Sequence, residues 1–162
     1  MLNLLRILIA ISFLSTISYT NNIDVNKIII QAKQKNKNLL FFVHHPKCGY
    51  CNKMLNESFK NKTILNEIKE NFILIDIDIS SSDVIIYKDS NMSMEDFAKN
   101  EISATNIPAT IFSTPNENLL KVIIGYRNID EFLSEIKYIS SGSYKHISFE
   151  QFSEELEFNK DD

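Results

Sequence analysis

Cys48 and Cys51 are the only two cysteines in this chain of 162 residues, and only Gly49 and Tyr50 stand between them. Ahead of the pair runs Asn38-Leu39-Leu40-Phe41-Phe42-Val43-His44, a continuous apolar stretch that reads as a buried strand. Behind it, Asn52 to Phe59 carries apolar residues at helical spacing. A strand that turns through C-x-x-C into a helix sets the first sulfur at the helix N-terminus. Free backbone N–H groups and the helix dipole there favour the thiolate over the thiol. The second sulfur lies one turn deeper, within reach of a mixed disulfide formed at the first, which is the arrangement thiol–disulfide exchange needs.

Other uses of the pair fit less well. A two-residue spacer closes almost no loop, so a purely structural disulfide removes little unfolded-state entropy. A structural metal site calls for a second pair of soft ligands, and covalent haem attachment calls for His where Asn52 stands. One binding alternative stays open: a Cu(I) carrier using both thiolates with His44 or His45, since soft sulfur ligands suit Cu(I).

The N-terminus has a different character from the rest. Met1 to Arg6 supplies the amine and one arginine, Ile7 to Ile17 is almost wholly apolar, and Ser18-Tyr19-Thr20 closes the stretch with small residues at alternating positions. This is the layout of a secretory signal peptide over residues 1–20, or of an uncleaved N-terminal anchor. Residues 21–162 are then one domain, large enough to bury a core without staples. Export makes an isolated C-x-x-C look like a catalyst rather than one staple of a scaffold. The formal charge of −4, about −5 without Arg6, and the absence of a basic stripe with interleaved aromatics disfavour nucleic acid as a partner.

Along the chain, Asp24 is placed to cap a first helix with Ile28, Ile29 and Ala32 on one side. After the redox helix, a short helix from Thr63 turns Ile64, Leu65 and Ile68 inward, and Phe72 to Ile79 forms a second strand. Ser80 to Asp83 is a loop, Val84 to Tyr87 a short edge strand and Asp89-Ser90-Asn91 a turn. Ser93 opens a helix through Phe97, Ala98 and Ile102. Ala109–Thr114 and Leu119–Gly125 flank Pro115-Asn116-Glu117-Asn118 as a hairpin. Asn128 starts a helix bearing Phe132, Leu133, Ile136 and Ile139. Ser148 and Gln151 form a capping box for another, with Phe149, Phe152 and Leu156 on one stripe, and Asn159 to Asp162 frays.

Parallel strands joined by helices and followed by an antiparallel hairpin make a mixed α/β plan. With Cys48-Gly49-Tyr50-Cys51 after a buried strand, Asn106-Ile107-Pro108-Ala109-Thr110 before the hairpin and Gly125-Tyr126 before the next helix, the chain resembles the thioredoxin family from about Asp24 to Ile139. Within that family it is similar to exported thioredoxin-like proteins of the kind found with sulfur-oxidation systems (SoxW type). The resemblance implies an α/β thioredoxin fold. Its central mixed β-sheet is flanked by helices, with a small insert before the cis-Pro strand and an extra C-terminal helix. It also implies that Pro108 is cis and faces the redox pair. Two positions depart from the cytoplasmic thioredoxins: Phe42 stands where they carry a buried Asp, and Lys47 where they carry Trp. The first departure leaves Cys51 without an assigned proton acceptor.

The expected function is an exported, periplasmic thiol–disulfide oxidoreductase that reduces or isomerises protein disulfides. Cys48 is the attacking thiol, helped by the charge of Lys47. Cys51 is the resolving thiol and forms a redox-active disulfide with Cys48. Gly49, Tyr50, Ile107 and Pro108 line the substrate groove. No cofactor is expected. The expected partners are client proteins with disulfides or thiols and a membrane electron donor, the chain itself acting as a monomer. His44 and His45 either tune the cysteines or are ordinary polar residues at a strand end, and Asp76 and Asp78 read as a solvated face.

Overall fold

Six residues in a row, the apolar Leu39 to Val43 and then His44, are buried because their strand has neighbours on both edges and cover on both faces. The computed structural model describes residues 21–158, so both the signal-peptide expectation for residues 1–20 and the frayed end at 159–162 lie outside the described residues. Among the described residues, no helix is long and apolar enough to cross a membrane.

The elements in order are β1 (Asn22–Asp24), α1 (Val25–Lys35), β2 (Asn38–His44), α2 (Gly49–Asn56), α3 (Lys62–Asn71), β3 (Phe72–Asp78), β4 (Val84–Tyr87), β5 (Ser90–Ser93), α4 (Met94–Asp96, continued by a wider turn over Phe97–Glu101), β6 (Ala109–Ser113), β7 (Leu119–Ile124), α5 (Ile129–Ser140) and α6 (Phe149–Phe158). The central sheet has the order β3-β2-β6-β7. β2 and β3 run parallel, which requires the crossover that α2 and α3 supply. β6 lies antiparallel to β2, and β7 antiparallel to β6. This is the mixed α/β sheet flanked by helices that the sequence implies.

The core lies in two layers. Leu39, Phe41, Val43, Ile75, Ile77 and Ile111 pack on one side against α1 and the segment between β3 and β6. Leu40, Phe42 and Phe112 pack on the other against Met54 of α2, Ile64 and Ile68 of α3 and Phe132 and Ile136 of α5. Period-two alternation along β2 thus divides its side chains between the layers.

Three local expectations need correction. Val84–Tyr87 is the middle strand of a second, three-stranded sheet, because Asn22–Asp24 pairs with it in parallel and Ser90–Ser93 antiparallel. The adjoining turn is tighter than expected: Tyr87 pairs with Ser90, leaving Lys88 and Asp89 as a two-residue connection with Lys88 at φ 52°. Leu65 points outward and is 43% exposed, since only Ile64 and Ile68 share the inward stripe of α3. The small sheet ties the start of the domain to the insert. Asp24 caps α1 by accepting from the Lys27 amide, and the Asn26 side chain bonds the Lys88 backbone in both directions.

The extra C-terminal helix is present. Ser148 and Gln151 satisfy each other's backbone N–H groups across the first turn of α6. Phe149 packs edge-on and Phe152 tilted against the Tyr138 ring of α5, each at 5.4 Å. The buried Glu135 pairs with Lys121 at 2.6 Å, and the same ammonium lies 3.6 Å over the Phe149 ring.

Phe132 is fully buried and meets Phe59 at 5.1 Å. Phe132→Ala should lower the unfolding free energy in urea by about 3–5 kcal/mol. Ile30→Ala, at a position 54% exposed, should change it by no more than about 0.5 kcal/mol.

Candidate active site

The chain leaves β2 at His44 and makes a tight turn into α2. Cys48 N–H donates to the His45 carbonyl at 2.9 Å, the Lys47 amide donates to His45 Nδ1 at 2.9 Å, and the Asn52 side chain donates to the Pro46 carbonyl at 2.8 Å. Cys48 is therefore the N-cap of α2, in extended conformation. Its Sγ accepts the Cys51 backbone N–H at 3.1 Å, so sulfur takes the place that a Ser or Asp oxygen holds in an ordinary cap. The two cysteines form a disulfide, with Cα atoms 5.2 Å apart. Cys48 is half-exposed and Cys51 fully buried, while Gly49 and Tyr50 face solvent.

The Ile107–Pro108 peptide bond is cis. Pro108 is buried at the entrance to β6, where Ala109 pairs with Val43 of β2. That register brings the Ile107–Pro108 corner to the end of the sheet from which the chain departs toward Cys48. The Gly125 amide donates to the Pro108 carbonyl at 2.7 Å, and Gly125 itself sits at φ 94°, a conformation glycine adopts without penalty. The chain thereby turns out of β7 and presents Tyr126.

Tyr126 is a neighbour that sequence reasoning did not place at the site. Its ring lies 6.0 Å from that of Tyr50, its hydroxyl donates to Glu57 at 2.8 Å, and Lys53 Nζ stands 4.6 Å from its centroid. Ser58, fully buried, donates to the Arg127 carbonyl at 3.1 Å and so fastens the end of α2 to this turn. The motif Gly125-Tyr126 was the signal available, but the partners Lys53 and Glu57 become evident only when α2 lies beside the turn.

Phe42 occupies the position where cytoplasmic thioredoxins carry a buried acid. It is fully buried and meets Phe59 at 4.5 Å and the His44 ring at 5.3 Å. The titratable group on this face is two residues further along. His44 is buried, and its Nε2 lies 2.9 Å from Asp76 Oδ1. Burial opposes protonation of the ring, but the Asp76 carboxylate and, further off, Asp78 outweigh it and raise the imidazole above its usual range. Asp78 in turn is fixed by the Ser80 amide and hydroxyl at 2.9 and 2.7 Å. The two histidines thus separate: His45 accepts the Lys47 amide in the turn, and His44 sits against the Asp76 carboxylate.

Residues 25–140 match the thioredoxin-like domain family. The chain belongs to that family. Among solved structures this thioredoxin-like chain is similar to a thioredoxin-fold protein from Helicobacter pylori, at 21% identity over 86% of each chain with a TM-score of 0.65. It is also similar to a thioredoxin from Thermus thermophilus, at 15% identity over 74% of this chain and 86% of the other, TM-score 0.54. The oxidised C-terminal domain of Neisseria meningitidis DsbD matches at 13% identity over 70% and 90%, TM-score 0.53. No curated protein sequence matches significantly.

The His44–Asp76 pair has a pH signature. The folded imidazole holds its proton more tightly than the unfolded one. Its stabilisation is therefore complete below the ordinary imidazole value of about 6.5 and fades as pH rises through the folded protein's higher value. Urea midpoints measured from about pH 5 to pH 9 should fall across that window in the wild type. Asp76→Asn should flatten this fall, and an unaltered slope would contradict the pairing.

Proposed function

We propose that this thioredoxin-like protein is an exported thiol–disulfide oxidoreductase that reduces or isomerises disulfides in client proteins. The observation that carries the reading is the asymmetry of the pair: Cys48 caps α2, half-exposed and hydrogen-bonded through sulfur, while Cys51 is fully buried behind it. A helix N-terminus lowers the pKa of a reduced thiol placed there, and burial raises that of its partner.

In the reductive direction the Cys48 thiolate attacks one sulfur of a client disulfide. A Cys48–client disulfide forms, and the other client sulfur leaves as a thiolate that takes up a proton. Cys51, deprotonated, then attacks Cys48 Sγ, releasing the second client thiol and forming the Cys48–Cys51 disulfide. Two electrons have passed to the client. A membrane donor returns them to the pair, and isomerisation follows when the client's own thiol resolves the mixed disulfide instead. Gly49, Tyr50, Ile107 and Pro108 form the client groove, with Tyr126 at its side. The signal-peptide layout of residues 1–20 supports a periplasmic location, with a single copy of the chain sufficient for the chemistry.

The Cu(I)-carrier alternative is less well supported. The two imidazoles it would recruit are engaged elsewhere, His44 with Asp76 and His45 with the Lys47 amide.

Reduction of insulin by dithiothreitol tests the activity. The wild type should accelerate it, and Cys48→Ser should return the rate to that of dithiothreitol alone. Indistinguishable rates for the two proteins would contradict the enzymatic reading. Cys51→Ser should accumulate mixed disulfides with client proteins, because no resolving thiol remains, and Cys48→Ser should accumulate few. Equal trapping by both would reverse or abolish the assigned roles.

A further inference from the structure

Cys51 is fully buried, yet as a thiol it must lose a proton before its sulfur can attack. One titratable side chain lies beneath it. α2 leaves the end of β2 and runs back over the same sheet, so that Met54 and Phe42 share one layer of the core. Cys51 sits one turn before Met54 on the buried face of that helix. His44 sits two residues past Phe42 on the same face of the strand, its ring stacked 5.3 Å from the Phe42 ring. Both steps lead toward the β2–α2 turn and each measures about 5 to 7 Å, which brings the His44 ring to the floor under Cys51.

We propose that His44 is the general base that takes the Cys51 proton, with Asp76 as the residue that orients it. The proposal rests on the redox reading above. Asp76 Oδ1, 2.9 Å from Nε2, favours the neutral tautomer that carries its proton there. Nδ1 is then the free acceptor, and it is buried without a hydrogen-bond partner among the described residues. The Asp76 side chain is 65% exposed on β3, the outer strand of the sheet, so a proton on Nε2 stands one carboxylate away from water. The charged groups that act on the ring are Asp76 and, farther off, Asp78, both on β3. Phe42 faces it from β2, Cys51 and Met54 are the buried side chains of α2, and His45 in the turn acts on Asp78.

In the resolving step the Cys51 thiol gives its proton to His44 Nδ1, and the sulfur's electron pair attacks Cys48 Sγ. The Cys48–Cys51 bond forms and the Cys48–client bond breaks. The leaving client sulfur keeps the electron pair of that bond and takes up a proton from water. The imidazolium, stabilised by Asp76, then gives its Nε2 proton to water. Only the neutral imidazole can begin this sequence, so resolution quickens as pH rises to the point where His44 loses its proton and levels off above it.

The test mixes the reduced full chain, in excess, with dithiobis-nitrobenzoate, a disulfide whose two halves leave as coloured thiolates. The first half leaves when Cys48 attacks, and the second when Cys51 resolves the mixed disulfide in a phase whose rate is independent of protein concentration. Cys51→Ser should show the first phase alone. In the wild type the second-phase rate should level off above the folded imidazole's raised value. His44→Gln should slow that phase at pH 7 by about 100-fold or more. Its rate should keep rising past the ordinary cysteine value of about 8.5, because hydroxide must then deprotonate a buried thiol. Asp76→Asn alters only an exposed side chain and carries the test should His44→Gln fold poorly. It should move the levelling-off to lower pH, since the imidazole loses the carboxylate that raises it. If His44→Gln keeps the wild-type rate and profile, or Asp76→Asn leaves the inflection in place, His44 is not the base and the redox reading stands. If the wild type never releases the second half, the redox reading fails and the proposal with it.

Discussion

The amide of Cys51 donates to the Cys48 sulfur at 3.1 Å, and most of the architecture serves to hold that contact at the edge of solvent. A helix begins with backbone N–H groups that have no partner within the helix. Here sulfur stands in for the usual cap oxygen, and the thiolate of the reduced state would gain most from the same donors, because a charged acceptor makes the stronger hydrogen bond. The first turn of α2 is therefore both a piece of secondary structure and the electrostatic setting of the chemistry.

Holding that turn still falls to the sheet. β2 is buried along its length between β3 and β6, and its last residue hands the chain to a turn fixed by His45 and Asn52. On one face, Phe42, Phe59 and Phe132 form a connected set of rings beneath α2. On the other, the insert and the small sheet cover Phe41 and Val43. The hairpin β6–β7 then sets the Ile107–Pro108 corner beside Tyr126, the two tied by the Gly125 amide donating to the Pro108 carbonyl.

Much of this is legible in the residues themselves. The continuous apolar run of β2, the caps at Asp24, Asn128 and Ser148, and the hairpin around Pro115–Asn118 are all local signals, and each forms as its chemistry dictates. What the sequence hides depends on long-range pairing. β1 is three residues long, and its last residue also caps α1. Its partnership with β4 across some sixty residues leaves no periodic trace, and so Val84–Tyr87 reads as an edge. Asp76 and Asp78 read as a solvated face because alternation alone cannot reveal that His44 lies across the strand pair from them. Leu65 fits a helical stripe on paper but falls just outside it once α3 is seated.

The central claim is that the N-cap position makes Cys48 the reactive thiolate. Ultraviolet titration of thiolate absorbance in reduced Cys51→Ser, where Cys48 is the sole thiol, measures this directly. The account predicts a midpoint well below the ordinary cysteine value of about 8.5. A midpoint at or above that value would contradict it.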